Sequence, residues 1–125
     1  MIVGDDTLSE KIIGCAIAVH RELGPGLLES IYEEALGIEL TRLGVSFLRQ
    51  VPLPVVYKGA LLSGSFRVDM VVENTVVVEL KCVETLLPVH EAQLLSYLRL
   101  GGWKIGLLMN FKSSILKQGL RRILL

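Results

Sequence analysis

The six residues Val76-Val77-Val78-Glu79-Leu80-Lys81 constrain this chain more than any other stretch. A run so rich in valine favours a strand, and alternate side chains of a strand emerge on the same face. Glu79 and Lys81 therefore share a face at the end of an apolar run, an unusual arrangement for a buried strand. Asp69 lies twelve residues before Lys81, in a second valine-rich stretch, Phe66 to Val72, that the Glu73-Asn74 turn folds back against the first. The turn decides the geometry. A three-residue loop, Glu73 to Thr75, sets Asp69 opposite Glu79, whereas a two-residue loop sets it opposite Val78 and on the other face.

Two facing carboxylates repel and raise one another's pKa unless a cation sits between them, and a hard, oxygen-liganded ion such as Mg²⁺ suits that geometry. Lys81 beside them is placed to lower the pKa of an attacking water and to stabilise negative charge developing on phosphorus. Taken alone, a Glu-x-Lys in a strand is most often an ordinary ion pair that adds little stability. Asp69 in the facing strand is what gives it a chemical reading.

The flanking segments predict helices. From Leu8 to Leu23 the apolar residues Leu8, Ile12, Ile13, Ala16, Val19 and Leu23 recur at three and four, with Thr7 or Ser9 as cap and Gly24-Pro25-Gly26 as stop. A second helix is expected from about Leu28 to Leu43, its stripe formed by Leu28, Ile31, Tyr32, Ala35, Leu36, Glu39 and Leu43. Val45 to Lys81 reads as an antiparallel meander of three or four strands, broken at Lys58-Gly59, Ser63-Gly64 and Glu73-Asn74. Pro88 opens a third helix to about Leu100, with Val89, Ala92, Leu95 and Leu98 apolar, and Trp103 to Met109 is one more strand. A short basic helix is expected over Ile115 to Leu125, its face of Lys117, Arg121 and Arg122, with nearby Lys112, being first of all a solvated face.

Two pairs of polar residues stand at helical spacing, Glu29 with Tyr32 and Gln93 with Tyr97. An acidic residue on an early helix, an aspartate, a Glu-x-Lys and then a Gln-x-x-x-Tyr, in that order, resemble the PD-(D/E)xK nucleases of the RecB-like exonuclease branch. More narrowly, Gly26-Leu27-Leu28-Glu29-Ser30-Ile31-Tyr32 resembles the signature of the GxxExxY family, and the likeness extends over nearly the whole chain. The resemblance implies an α/β fold: one restriction-endonuclease-like domain over residues 1–125, with a mixed sheet of about four to five strands flanked by helices. It further implies that Asp69, Glu79 and the Leu80 carbonyl hold Mg²⁺, with Mn²⁺ as a substitute, and that Lys81 positions or activates water. Glu29 would support the metal directly or through water, and Gln93 and Tyr97 would orient the lysine or the scissile phosphate. The implied activity is metal-dependent hydrolysis of phosphodiesters; the resemblance stops at that class of chemistry, and DNA is the substrate expected first. The rival readings are a non-catalytic binding or assembly module on the same fold and a phosphodiesterase directed at RNA.

Composition narrows the setting. With 125 residues, half of them apolar, one core can be buried without staples, and no second domain is expected. Thirteen basic residues balance thirteen acidic ones, so no whole-molecule field draws the protein to polyanions, and contact with nucleic acid must use a local patch. No reading helix, zinc finger or aromatic platform is recognisable, so specificity is expected from a homodimer or a protein partner. Cys15 and Cys82 lack the spacing of a zinc site or a disulfide framework, and charges at Asp5, Asp6, Glu10 and Lys11 do not suit the apolar centre of a signal peptide. The expectation is a cytoplasmic protein with no membrane contact. His20 and His90 lack a second metal-type residue at suitable spacing and read as structural or surface residues.

Overall fold

The computed structural model describes residues 6–125; Asp5 lies outside them. Two helices, α1 (Thr7–Leu23) and α2 (Glu29–Arg42), lead into three strands, β1 (Phe47–Tyr57), β2 (Ala60–Val72) and β3 (Val76–Lys81). Helix α3 (Pro88–Gly101) crosses to β4 (Ile105–Asn110), and a 3₁₀ turn, Leu116–Gly119, leads to β5 (Leu120–Leu124). The five strands stand side by side in chain order. Only β3 and β4 are parallel, joined through α3, so the sheet is mixed, as the resemblance implied.

Each face of the sheet carries its own helical cover. Val76, Val78 and Leu80 of β3 and Ile105, Leu107 and Met109 of β4 pack with Ile12 and Ala16 of α1 and Leu36 and Leu40 of α2. Val77 and Leu108 point the other way, into a smaller cluster with Leu94, Tyr97 and Leu98 of α3. Both faces of β3 are thus covered, which is why it opens on the apolar run Val76-Val77-Val78. The α3 stripe differs in part from the expected one: Leu98 is fully buried as expected, but Val89 is 63% exposed, and Leu94, outside the stripe, is fully buried. On α2, Leu28 and Leu43 of the expected stripe are exposed and Leu40, outside it, is buried.

Three local devices depart from the sequence expectation. The α1 cap is Asp6, whose carboxylate accepts the Ser9 N–H at 3.0 Å, rather than Thr7 or Ser9. Ser63-Gly64 is no turn, because β2 runs through it. The expected C-terminal helix is absent: its first turn is 3₁₀, and Leu120–Leu124 pairs with β4 as an edge strand. Gly119 makes this path possible, since a Cβ there would lie 2.8 Å from the Asn110 carbonyl oxygen. Among the described residues no helix is long and apolar enough to cross a membrane.

Candidate metal centre

The turn between β2 and β3 sets the site. Val72 pairs with Val76, Val71 with Val77 and Met70 with Val78, so the loop is the three-residue one, Glu73 to Thr75. Glu73 and Asn74 take left-handed backbone (φ 51° and 52°). That conformation suits asparagine and not glutamate. Glu73 is held there by Ser46, whose N–H donates to the Glu73 carboxylate at 2.9 Å and whose carbonyl accepts the Glu73 N–H at 2.9 Å.

One step further along this register, Asp69 faces Glu79, and there the ladder gives way. The Glu79 carboxylate accepts the Asp69 N–H at 2.6 Å, and the Asp69 carboxylate accepts the Leu80 N–H at 2.8 Å. Each side chain takes up a backbone donor of the opposite strand, so the two carboxylates are crossed straps between β2 and β3. On its other side Asp69 is opposite Gln50, where the β1–β2 pairing also skips and Gln50 turns left-handed (φ 52°). Val68 and Val71 both join the cluster under α3, so the strict alternation of β2 is broken at this point.

The electrostatics follow from burial. Glu79 is 6% exposed, and burial, followed by the neighbouring Asp69 charge, pushes its pKa up to about 8. Asp69 is half-buried; burial raises its pKa, the Leu80 hydrogen bond opposes that, and the charges of Glu33 and Glu29 raise it further. Lys81 lowers both groups through its charge but makes no contact ion pair with either. Tyr97, 7% exposed on α3, has its hydroxyl pKa raised by burial and then by the charges of Glu79 and Asp69, so it remains a neutral donor beside them.

The expected residues are gathered to different degrees. Asp69 and Glu79 meet across β2 and β3, Lys81 closes β3 two residues on, and Tyr97 on α3 is close enough for the charges of both carboxylates to act on it. Glu29, the first residue of α2, is exposed, lines a surface cavity of about 570 Å³ with Cys82 and Lys112, and acts on both carboxylates through its charge. Gln93, one turn before Tyr97, is exposed and makes no hydrogen bond among the described residues. Cys82 has its thiol pKa raised by burial and the Glu29 charge, so it stays protonated. His20 and His90 serve structure: His20 Nε2 is 2.8 Å from the Ser113 carbonyl oxygen, and His90 Nδ1 accepts the Leu87 N–H at 2.9 Å at the start of α3.

Sequence reading missed Glu33. It is 5% exposed, one helical turn after Glu29, and its carboxylate receives Arg49 Nε and Gln50 Nε2, each at 2.8 Å. That clamp holds the Gln50 kink next to Asp69. The available signal was the i, i+4 spacing from Glu29.

The donor set fits a hard divalent ion. Asp69 and Glu79 each commit one carboxylate oxygen to a backbone N–H; the remaining oxygens accept no hydrogen bond and are not sealed from solvent. Among the described residues no three acidic, histidine or cysteine side chains are gathered as a ligand group. The two carboxylates alone are hard oxygen donors, of the kind an ion that keeps most of its waters can use.

A model of the PD-(D/E)XK nuclease superfamily matches residues 6–123, and the chain belongs to that superfamily. No curated protein and no solved structure matches it.

Proposed function

We propose that this protein is a Mg²⁺-dependent nuclease of the GxxExxY branch, a single nuclease domain over residues 1–125 that hydrolyses phosphodiester bonds, DNA first. The observation that carries the reading is the Asp69–Glu79 pair, a half-buried and a buried carboxylate strapped across two strands, with Lys81 two residues on at the carboxyl end of β3. Such a pair is destabilising on its own and is relieved by a cation. Asp69, Glu79 and the Leu80 carbonyl would hold the ion, with Glu29 supporting it directly or through water; Mn²⁺ should substitute. A bound divalent ion supplies positive charge that polarises the scissile phosphate and lowers the pKa of water.

This chain's own residues do the rest. Lys81 brings a cation to the negative charge that builds on the phosphate. Tyr97, neutral and within the field of both carboxylates, would donate a hydrogen bond that orients the phosphate or the lysine. Gln93, exposed one turn away on α3, would orient the lysine or the scissile phosphate with it. Two free cysteines, Cys15 and Cys82, support a place in the reducing cytoplasm.

Specificity would come from a second copy of the chain. The end of the β1–β2 hairpin carries exposed Val56, Tyr57, Leu61, Leu62 and Phe66, and between Val51 and Phe66 only Lys58 is ionised. These side chains leave roughly 500 Å² uncovered, a large part of the about 800 Å² per partner in a standard interface. Pro52 and Pro54 withhold two backbone donors from the edge strand, which favours side-chain packing over strand addition.

The crossed straps also favour a second reading, a non-catalytic module in which Asp69 and Glu79 are a satisfied polar link between strands. The experiment that decides offers end-labelled single-stranded DNA, duplex DNA and RNA to the protein with Mg²⁺ or Mn²⁺, beside Glu79→Gln. Cleavage of DNA that the variant abolishes is expected. Cleavage of RNA alone would move the substrate class, and cleavage of nothing would leave the module reading.

A further inference from the structure

We infer that Tyr32 is a positioning residue whose hydroxyl latches the Gly24–Leu27 loop and thereby sets Glu29 relative to the end of β3. The inference rests on the ion centre proposed above and adds a part to it. Tyr32 is fully buried; its hydroxyl donates to the Gly24 carbonyl and accepts the Leu27 N–H at 3.1 Å. Glu29 follows Leu27 by two residues and opens α2. No side chain caps that entry, because the residue in the cap position is Leu28, whose carbonyl takes the first helical N–H groups but whose side chain makes no capping hydrogen bond, and the loop passes through Gly26 at φ 101°.

The other side of the tyrosine ring reaches the catalytic strand. It stacks on Phe111 with centroids 4.5 Å apart and an interplanar angle of 21°, and Phe111, itself fully buried, donates its N–H to the Lys81 carbonyl at 2.8 Å. Loop, tyrosine, phenylalanine and strand end thus form one continuous strut. Glu29 stands at one end and Lys81 at the other. A tyrosine buried only for packing needs the ring; this one spends both functions of its hydroxyl on the segment that delivers Glu29.

Tyr32→Phe separates the two roles, since it keeps the ring and its stack and removes only the hydroxyl. Gly24 is half-buried and Leu27 exposed, so water can replace the lost partners and the fold should persist. Mn²⁺ is titrated calorimetrically into wild type, Tyr32→Phe, Glu29→Gln and the double variant, and amide exchange is followed at Leu27. Tyr32→Phe is expected to speed exchange at Leu27 and to weaken Mn²⁺ binding about tenfold, as loss of an outer support does. On the Glu29→Gln background it should weaken binding no further, because the group it positions is already gone. Unchanged Mn²⁺ affinity in Tyr32→Phe, or the same tenfold loss repeated in the double variant, would overturn the inference while leaving the ion centre intact. A wild type that takes up no Mn²⁺ overturns the centre itself, and the inference with it, before any variant is compared.

Discussion

Glu79 is 6% exposed beside a second carboxylate, and its pKa stands near 8 rather than 4.5. A carboxyl raised in this way stabilises the fold while protonated: the contribution is complete below 4.5 and is lost as pH rises through 8. In chelator the wild type should therefore lose stability between those values, by roughly 2–4 kcal/mol. Glu79→Gln should flatten that dependence and melt higher than wild type at pH 9, and millimolar Mg²⁺ should restore the wild type alone. Thermal unfolding across pH with and without Mg²⁺ checks this; a wild-type profile as flat as the variant's would contradict it. Lys81 makes a different prediction, because its charge acts on the carboxylates without a contact pair. Lys81→Met should cut turnover at least about a hundredfold while Mn²⁺ binding measured calorimetrically changes only a few-fold. The facing of Asp69 and Glu79 was legible in sequence as one of two registers, and the three-residue loop decides between them. Glu33 was missed, since its i, i+4 spacing from Glu29 is common to many solvated helix faces and only its partners Arg49 and Gln50, from another element, mark it as buried.

At the scale of elements, the strand carrying Glu79 and Lys81 is finished by its neighbour. Asn110, 2% exposed at the end of β4, accepts the Val83 N–H at 3.0 Å and the Lys112 N–H at 3.2 Å and donates to the Val83 carbonyl at 2.8 Å. It clamps the chain just as it leaves β3. Asn110→Ala leaves those groups short of partners and should cost about 2 kcal/mol, a fall of about 5–10 °C in Tm by calorimetry; a loss under 1 °C would mean that water takes over the clamp. Both N-terminal helices, the hairpin turn at Lys58-Gly59 and the β2–β3 turn could be read ahead of the structure, because apolar periodicity and turn residues agree there. The C-terminal segment could not. Ile115, Leu116, Leu120 and Ile123 are spaced as on a helix, but β4 had an open edge, and pairing with it outweighed a propensity worth only tenths of a kcal/mol per residue. Ser63-Gly64 misled for a related reason: turn residues are tolerated inside β2 where its far end stands exposed.

On the scale of the whole molecule, the balanced charge removes any global attraction to DNA, so orientation on the substrate falls to the site and to whatever holds a second copy near it. If the hairpin ends pack together, light scattering at micromolar concentration should give twice the chain mass, and Leu61→Asp with Leu62→Asp should give the single mass with the fold intact by circular dichroism. A wild type of single mass under the same conditions would return specificity to another partner. The nuclease reading depends on the carboxylate pair being an ion centre, and calorimetric titration of Mg²⁺ and Mn²⁺ into wild type and Glu79→Gln at pH 7.5 tests that claim directly. The predicted result is saturable binding of one class of site by the wild type, abolished in the variant. Equal binding by both proteins, or none by the wild type, would contradict it.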